Sequence, residues 1–267
     1  MKFIGSLTIG QYIPSDSTIH SLDPRTKLLG LIFFIVYLFL FPKLEIYLFY
    51  LIFLHLILYL SGLKYKLILN SLKPIMFLIL ITAFFNIFFT PGEKLVWIIT
   101  REGLRNGILF SLRIFLLVFS SMLLTYTTSP LRLTDSIEYF LKPFKIFKIP
   151  VEEISLMLVI ALRFIPTIIN EIDRLIKAQK SRGVNFEEGN IIVRIKKLLP
   201  VFVPLFISFF KRADELAEAM SSRAYKGADK RTKRIKLKYS RLDLVALIVM
   251  IMLFFMTMGV NYFAQLF

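Results

Sequence analysis

Two arginines, Arg182 and Arg223, sit in nearly the same phrase. Residues 171–183 read EIDRLIKAQKSRG and residues 212–224 read RADELAEAMSSRA, 41 positions apart. Asp173/Asp214, Leu175/Leu216, Ala178/Ala219, Ser181/Ser222 and Arg182/Arg223 are identical between them. A guanidinium carries five N–H donors in a rigid fork that can grip a carboxylate through two parallel hydrogen bonds. Only Ser181 and Gly183 flank the first fork, and only Ser222 and Ala224 the second, so neither is crowded by a bulky neighbour. Each could enter a groove lined by carboxylates or carbonyls. The plainer alternative is that both arginines offset the negative end of a helix dipole, worth about 0.3–1 kcal/mol each. Repetition points instead to one device presented twice, as two copies of a partner would require.

Other chemistries lack their residues. No Gly-x-x-x-x-Gly-Lys-Ser/Thr is present, so the chain does not cradle ATP phosphates in a P-loop. There is no His-Glu-x-x-His, no Asp-rich diphosphate site and no Ser-His-Asp set. Cysteine is absent, which excludes disulfides and thiolate metal sites. His20 and His55 are the two imidazoles, and His55, in the middle of an apolar run, reads as a packed or hydrogen-bonded side chain. Arg113 lies about five residues inside an apolar run and can snorkel to the interface. Asn86 fits an interhelical hydrogen bond. The carboxylates Asp135, Glu138, Glu152 and Glu153 are the available cluster for an integral membrane enzyme on lipid-linked substrates, but their spacing matches no motif.

The arginine phrases are carried by a chain that is 57% hydrophobic with 28 Phe, a mean hydropathy of +0.70 and a formal net charge of +16. Soluble domains sit near 45–50% apolar. Windows apolar on every side indicate lipid as the solvent. They fall at about Leu28–Phe41, Leu44–Leu60, Ile75–Thr90, Ile108–Tyr126 and Leu244–Val260, giving about five transmembrane helices. The first is short and Pro42, Lys43 and Glu45 part it from the second. Lys2 is followed by a mixed stretch, so no cleaved signal is expected and the first span serves as an anchor.

Basic residues cluster in the head (Lys2, Arg25, Lys27), after the second run (Lys64, Lys66, Lys73) and in residues 129–241, which hold 23 Lys/Arg against 12 Asp/Glu. The positive-inside rule puts these in the cytoplasm and the C-terminus outside. Lys94, Arg101 and Arg105, in the third loop, are the contrary signal. Within residues 129–241, Asp135-x-x-Glu138 reads as a capping box before an amphipathic stretch that Pro143 ends or kinks. Two long helices follow, about Val151–Arg182 with Gly183 at its C-cap, and about Ile191–Tyr225. Their apolar stripes (Ile165, Ile168, Ile172, Leu175; Phe206, Phe210, Leu216, Met220) would pack on each other and on a partner. Lys230, Arg231, Lys233, Arg234, Lys236 and Lys238 form a headgroup-contacting patch beside the last span, and nucleic acid is not an expected partner.

At these residues the chain resembles the transmembrane T component of energy-coupling factor (ECF) transporters. The similarity covers nearly the whole sequence: HSLDPRTKLL (His20–Leu29), LTDSIEYFLKPFK (Leu133–Lys145), ALRFIPTIINEIDRLIKAQKSRG (Ala161–Gly183) and KRADELAEAMSSRAY (Lys211–Tyr225). The last two blocks are the specific ones. The resemblance implies an all-α integral membrane protein with a cytoplasmic coupling domain of long amphipathic helices. It implies a prokaryotic cell-membrane importer of vitamins or transition-metal ions. Two ABC-type ATPase subunits, identical or different, and a substrate-binding membrane S component are the implied partners. ATP is bound by the ATPases, and this chain holds no cofactor or catalytic residue. By position, Ser181-Arg182-Gly183 and Ser222-Arg223-Ala224 are the implied ATPase-docking tips. Ser stands where the family form has Ala, and Ala224 where it has Gly.

The expected organisation is four transmembrane helices in residues 1–128, the coupling helices in 129–241 and a last span in 242–267. A channel or stand-alone carrier would show inverted repeats and broken midplane helices, whereas the repeat here is cytoplasmic and parallel.

Overall fold

A computed structural model describes residues 12–96, 99–227 and 237–266. The described residues divide into two compact units, residues 12–136 with 237–266, and residues 137–227.

The first unit is built from α1 (Thr18–Ser21), α2 (Pro24–Leu40), α3 (Leu44–Ser61), α4 (Tyr65–Phe89), α5 (Arg101–Thr127) and α9 (Arg241–Leu266), with α6 (Pro130–Leu141) running from it into the second. Among the described residues, four helices are long and apolar enough to cross a membrane: α3, α4, α5 and Arg241–Val260 of α9. The fifth expected span, α2, has 17 residues and rises about 26 Å, short of a hydrocarbon core of about 30 Å. One short antiparallel ladder, Lys94–Val96 with Ile99–Thr100, joins α4 to α5. The core runs through Leu38, Tyr47, Tyr50, Leu58, Leu116 and Phe119, while Ile52, Phe77, Phe85 and Phe255 stay exposed, as lipid-facing side chains must.

The α4–α5 hairpin is the most closely packed pair. A Cβ on Gly103 would lie 2.9 Å from the backbone oxygens of Asn86 and Ile87, and one on Gly107 would lie 2.8 Å from Ile87 Cγ1. This Gly-x-x-x-Gly pair lets two backbones approach where lipid supplies no hydrophobic drive to press them together.

Several local expectations are corrected. Lys66 and Lys73 lie inside α4, and Arg101 and Arg105 inside α5, because helices begin before their apolar windows and long basic stems reach back to the interface. α6 starts at Pro130, ahead of Asp135. Proline suits a first helical turn, so the Asp135–Glu138 pattern is interior and caps nothing. Asn86 donates from Nδ2 to the Thr82 carbonyl at 2.9 Å, within its own helix. Arg113 does not simply snorkel. Its Nε donates to the Tyr47 hydroxyl at 2.9 Å, Tyr47 donates onward to the Leu38 carbonyl at 2.8 Å, and the rings of Phe39 and Phe110 flank the guanidinium. His55 is hydrogen-bonded as expected, donating from Nδ1 to the Leu51 carbonyl at 2.8 Å.

The stretch His20–Leu29 acquires a structural meaning. Asp23 caps α2, its carboxylate accepting from the Arg25 amide at 2.8 Å and from the Arg25 guanidinium at 3.1 and 3.0 Å. Pro24 occupies the first turn. The Asp23 amide in turn donates to Asp243 Oδ1 at 2.7 Å, across 220 residues of sequence. Asp243 Oδ2 accepts from the Ser240 amide at 2.7 Å and its hydroxyl at 2.8 Å, while Ser240 Oγ accepts from the Asp243 amide. That reciprocal arrangement is a capping box at the start of α9. One buried carboxylate therefore fastens the N-termini of two helices, whose dipoles both favour a negative charge there. Nearby, His20 donates from Nε2 to the Ile13 carbonyl and accepts from the Ser17 hydroxyl on Nδ1. Burial, then the charge of Lys27, holds its pKa below the usual histidine value, so it stays neutral.

Candidate functional site

The second unit carries both arginine phrases. A 3-10 turn, Lys142–Phe147, follows α6 as Pro143 required, and then come α7 (Val151–Ser181) and α8 (Ile191–Ser222). The long amphipathic stripes put both helices where the sequence places them. Glu171 pairs with Arg212 at 3.7 Å, and Gln179 Nε2 donates to the Pro200 carbonyl at 3.4 Å. As α7 advances from Glu171 to Gln179 its partner retreats from Arg212 to Pro200, so the helices run antiparallel. The sequence repeat is direct, but the expectation of parallel copies is corrected, because the link between Gly183 and Ile191 turns the chain back on itself.

The Gln179 contact has a specific cause. Pro204 has no amide hydrogen, so the carbonyl four residues earlier, that of Pro200, loses its helical partner. Gln179, nearly buried, supplies the missing donor. The residue was visible in the first phrase, but this role depends on a proline in the other helix.

Both helices end in the same cap. In the first, the Gly183 amide donates to the Lys180 carbonyl at 2.9 Å and the Val184 amide to the Gln179 carbonyl at 3.1 Å. In the second, the Ala224 amide donates to the Ser221 carbonyl at 2.9 Å and the Tyr225 amide to the Met220 carbonyl at 3.1 Å. These are Schellman motifs, with Arg182 and Arg223 as the last half-helical residue and Gly183 and Ala224 in the left-handed region at φ +85° and +57°. The small neighbours are thus required first by the backbone. The two serines fold back on their own helices, Ser181 Oγ to the Lys177 carbonyl and Ser222 Oγ to the Ala219 carbonyl, both at 3.1 Å. Ser181, Arg182, Gly183, Ser222, Arg223 and Ala224 are all exposed, and neither guanidinium has a side-chain partner among the described residues. A Cβ on Gly183 would meet nothing within 4 Å.

The antiparallel register separates the tips. Arg223 falls level with about residue 158 of α7, roughly 24 residues from Arg182, or on the order of 36 Å of helix rise. The hairpin therefore offers two like-shaped cationic ends facing opposite ways. Its flanks are apolar and open: Ile192, Ile195, Phe202, Phe206 and Phe210 of α8, and Met157 of α7, are exposed.

The left-handed positions make a prediction. An alanine there costs about 1 kcal/mol relative to glycine. Ala224→Gly is expected to slow hydrogen exchange at the Tyr225 amide about fivefold, and Gly183→Ala to speed it at Val184 by a similar factor. Equal exchange in variants and parent would contradict the caps.

Glu152 is ion-paired with Lys145 and Glu153 is exposed. Among the described residues no three His, Asp or Glu side chains lie together as a metal site would need. The basic patch, apart from Lys238, lies outside the described residues, as does Lys2.

Residues 15–234 match the CbiQ family, described as a cobalt transport protein. The chain is 44% identical over 247 residues to the energy-coupling factor transporter transmembrane protein EcfT of Ruminiclostridium cellulolyticum, covering 91% of this chain and 92% of that one. It is 46% identical over 253 residues to the EcfT of Acidaminococcus fermentans, with 93% and 94% covered. Against the EcfT of Streptococcus thermophilus it is 42% identical over 252 residues, with 92% and 96% covered.

Proposed function

Since the chain belongs to the CbiQ family and is the multi-pass transmembrane component of an energy-coupling factor transporter, we propose that its work is mechanical: Arg182 and Arg223 plug into two ABC-type ATPase subunits. The chain then passes their closure to the membrane and performs no chemistry itself. The observation that carries this is the pair of matching caps at opposite ends of one antiparallel hairpin, each with an exposed guanidinium that has no side-chain partner among the described residues. Two ATPases, one at each tip, suit that spacing. A single docking subunit would need only one tip.

The exposed apolar flanks of α7 and α8 fit a hydrophobic membrane partner, the S component that captures a vitamin or transition-metal ion. Coupling requires that the tips hold the ATPases differently with and without ATP. The basic surplus of residues 129–241 supports tips in the cytoplasm of a prokaryotic cell, an N-terminus on the same side and an external C-terminus.

The test is affinity purification from mild detergent, with identification of what accompanies the chain. A nucleotide-hydrolysing pair and a small membrane protein are expected, and the chain freed of them should not turn over ATP. Turnover of a lipid-linked substrate by the isolated chain would favour the enzyme alternative. Labelling that finds Arg182 and Arg223 on the outer face would end the proposal.

A further inference from the structure

The first unit contains a groove that the coupling role leaves unused. It has a volume of about 390 Å³ and lies among α2, α3, α5 and α9, with Gly30, Phe34, Leu54, Leu123, Ala246 and Met250 in its walls. Thr18 of α1, Lys27 in the first turn of α2 and Thr127 at the finish of α5 stand at one end.

The depth of the groove is that of one leaflet. Along α2 it extends from Lys27 to Phe34, about 10 Å of rise, and along α9 from Leu242 to Met250, about 12 Å. Half of a hydrocarbon core is about 15 Å. A spanning helix from a partner would need a seat through the full thickness. A single acyl chain does not.

The Lys27 ammonium donates to the Thr127 carbonyl at 2.9 Å and to the His20 carbonyl at 3.4 Å. It has three N–H donors and, among the described residues, no carboxylate within salt-bridge reach. Burial, then the like charge of Arg132, disfavours its charged form. Asp23 and Asp243 also reach it electrostatically, but the first is forked by Arg25 and the second is committed to Ser240 and the Asp23 amide. A partly buried ammonium thus stands at one end of an apolar slot with no carboxylate paired to it among the described residues.

We propose that the groove holds one acyl chain of an anionic phospholipid, with its phosphate on the Lys27 ammonium. A basic residue near the surface favours an anionic lipid by roughly fivefold in occupancy. The site does not depend on the arginine tips or on the ATPases. In the orientation proposed above it opens to the cytoplasmic leaflet.

The experiment uses the full chain with its co-purifying subunits in mixed micelles containing equimolar phosphatidylglycerol and phosphatidylcholine of matched chains. Native mass spectrometry counts the lipids retained. The parent should keep phosphatidylglycerol about fivefold over phosphatidylcholine. Lys27→Gln should bring that ratio near one while a lipid is still retained, and Lys27→Arg should keep the preference. Ala246→Trp, which fills the slot without touching the cation, should lower retention of both lipids. A parent ratio near one, or ratios and counts unchanged in Lys27→Gln and Ala246→Trp, would overturn the proposal. So would an Ala246→Trp complex that sheds a protein subunit with its lipid count intact, since the groove would then seat a protein.

Discussion

Arg182→Ala combined with Arg223→Ala is expected to leave the chain inserted and folded yet unable to retain ATPase subunits or support uptake. Neither guanidinium bonds to anything in the described structure, and an exposed side chain of that kind contributes within about 0.5 kcal/mol to stability. The caps themselves use backbone amides and carbonyls, so alanine preserves them. What is lost lies in the partner. An arginine buried against acceptors there leaves them unpaired when removed, at about 2–5 kcal/mol per tip, or roughly 30-fold to several thousand-fold in affinity. Either single variant should weaken the complex, and the double variant should abolish it. The conservative changes Arg182→Lys and Arg223→Lys should rescue only partly, because an ammonium keeps the charge without the fork. Stoichiometric ATPases and normal uptake with the double alanine chain would disprove docking through these residues.

Asp243→Ala carries the largest expected cost to the fold. The carboxylate is buried and accepts from the Ser240 amide, the Ser240 hydroxyl and the Asp23 amide. Removing it strands two amides and leaves only the Ser240 half of the α9 capping box. Losing charge-assisted bonds of this kind costs about 3 kcal/mol, which for a chain of this size lowers the unfolding midpoint by on the order of 10 °C. Asp243→Asn retains an acceptor and should recover about half of the loss. Heat-induced loss of monodispersity in detergent gives the readout. A midpoint for Asp243→Ala within about 2 °C of the parent would show that the clamp contributes little.

The arginine tips were legible because a repeat needs no structure to be seen, and the two long amphipathic helices because their stripes keep a helical period. The lipid-facing helices were legible from apolarity alone, though not their starts, since a basic first stretch such as Tyr65–Lys73 looks like a loop when only hydropathy is read. What escaped was whatever depends on distant pairing. Gln179 answers a carbonyl freed by Pro204, Asp243 answers an amide near the other end of the chain, and Gly103 and Gly107 matter because of their close approach to α4. The Gly-x-x-x-Gly spacing and the Ser240-x-x-Asp243 box were nevertheless readable signals. The direction of α8 against α7 was not, because a direct repeat says nothing about which way the second copy points.

The bond between Asp23 and Asp243 also sets an order of events during biogenesis. A membrane chain is threaded into the bilayer from its N-terminus as the ribosome makes it, at about 5–20 residues per second. The amide at the head of α2 must wait while 220 further residues are translated before its acceptor exists. For that interval, on the order of 10–40 seconds, α2 stands without its fastening, and only the arrival of α9 closes the ring.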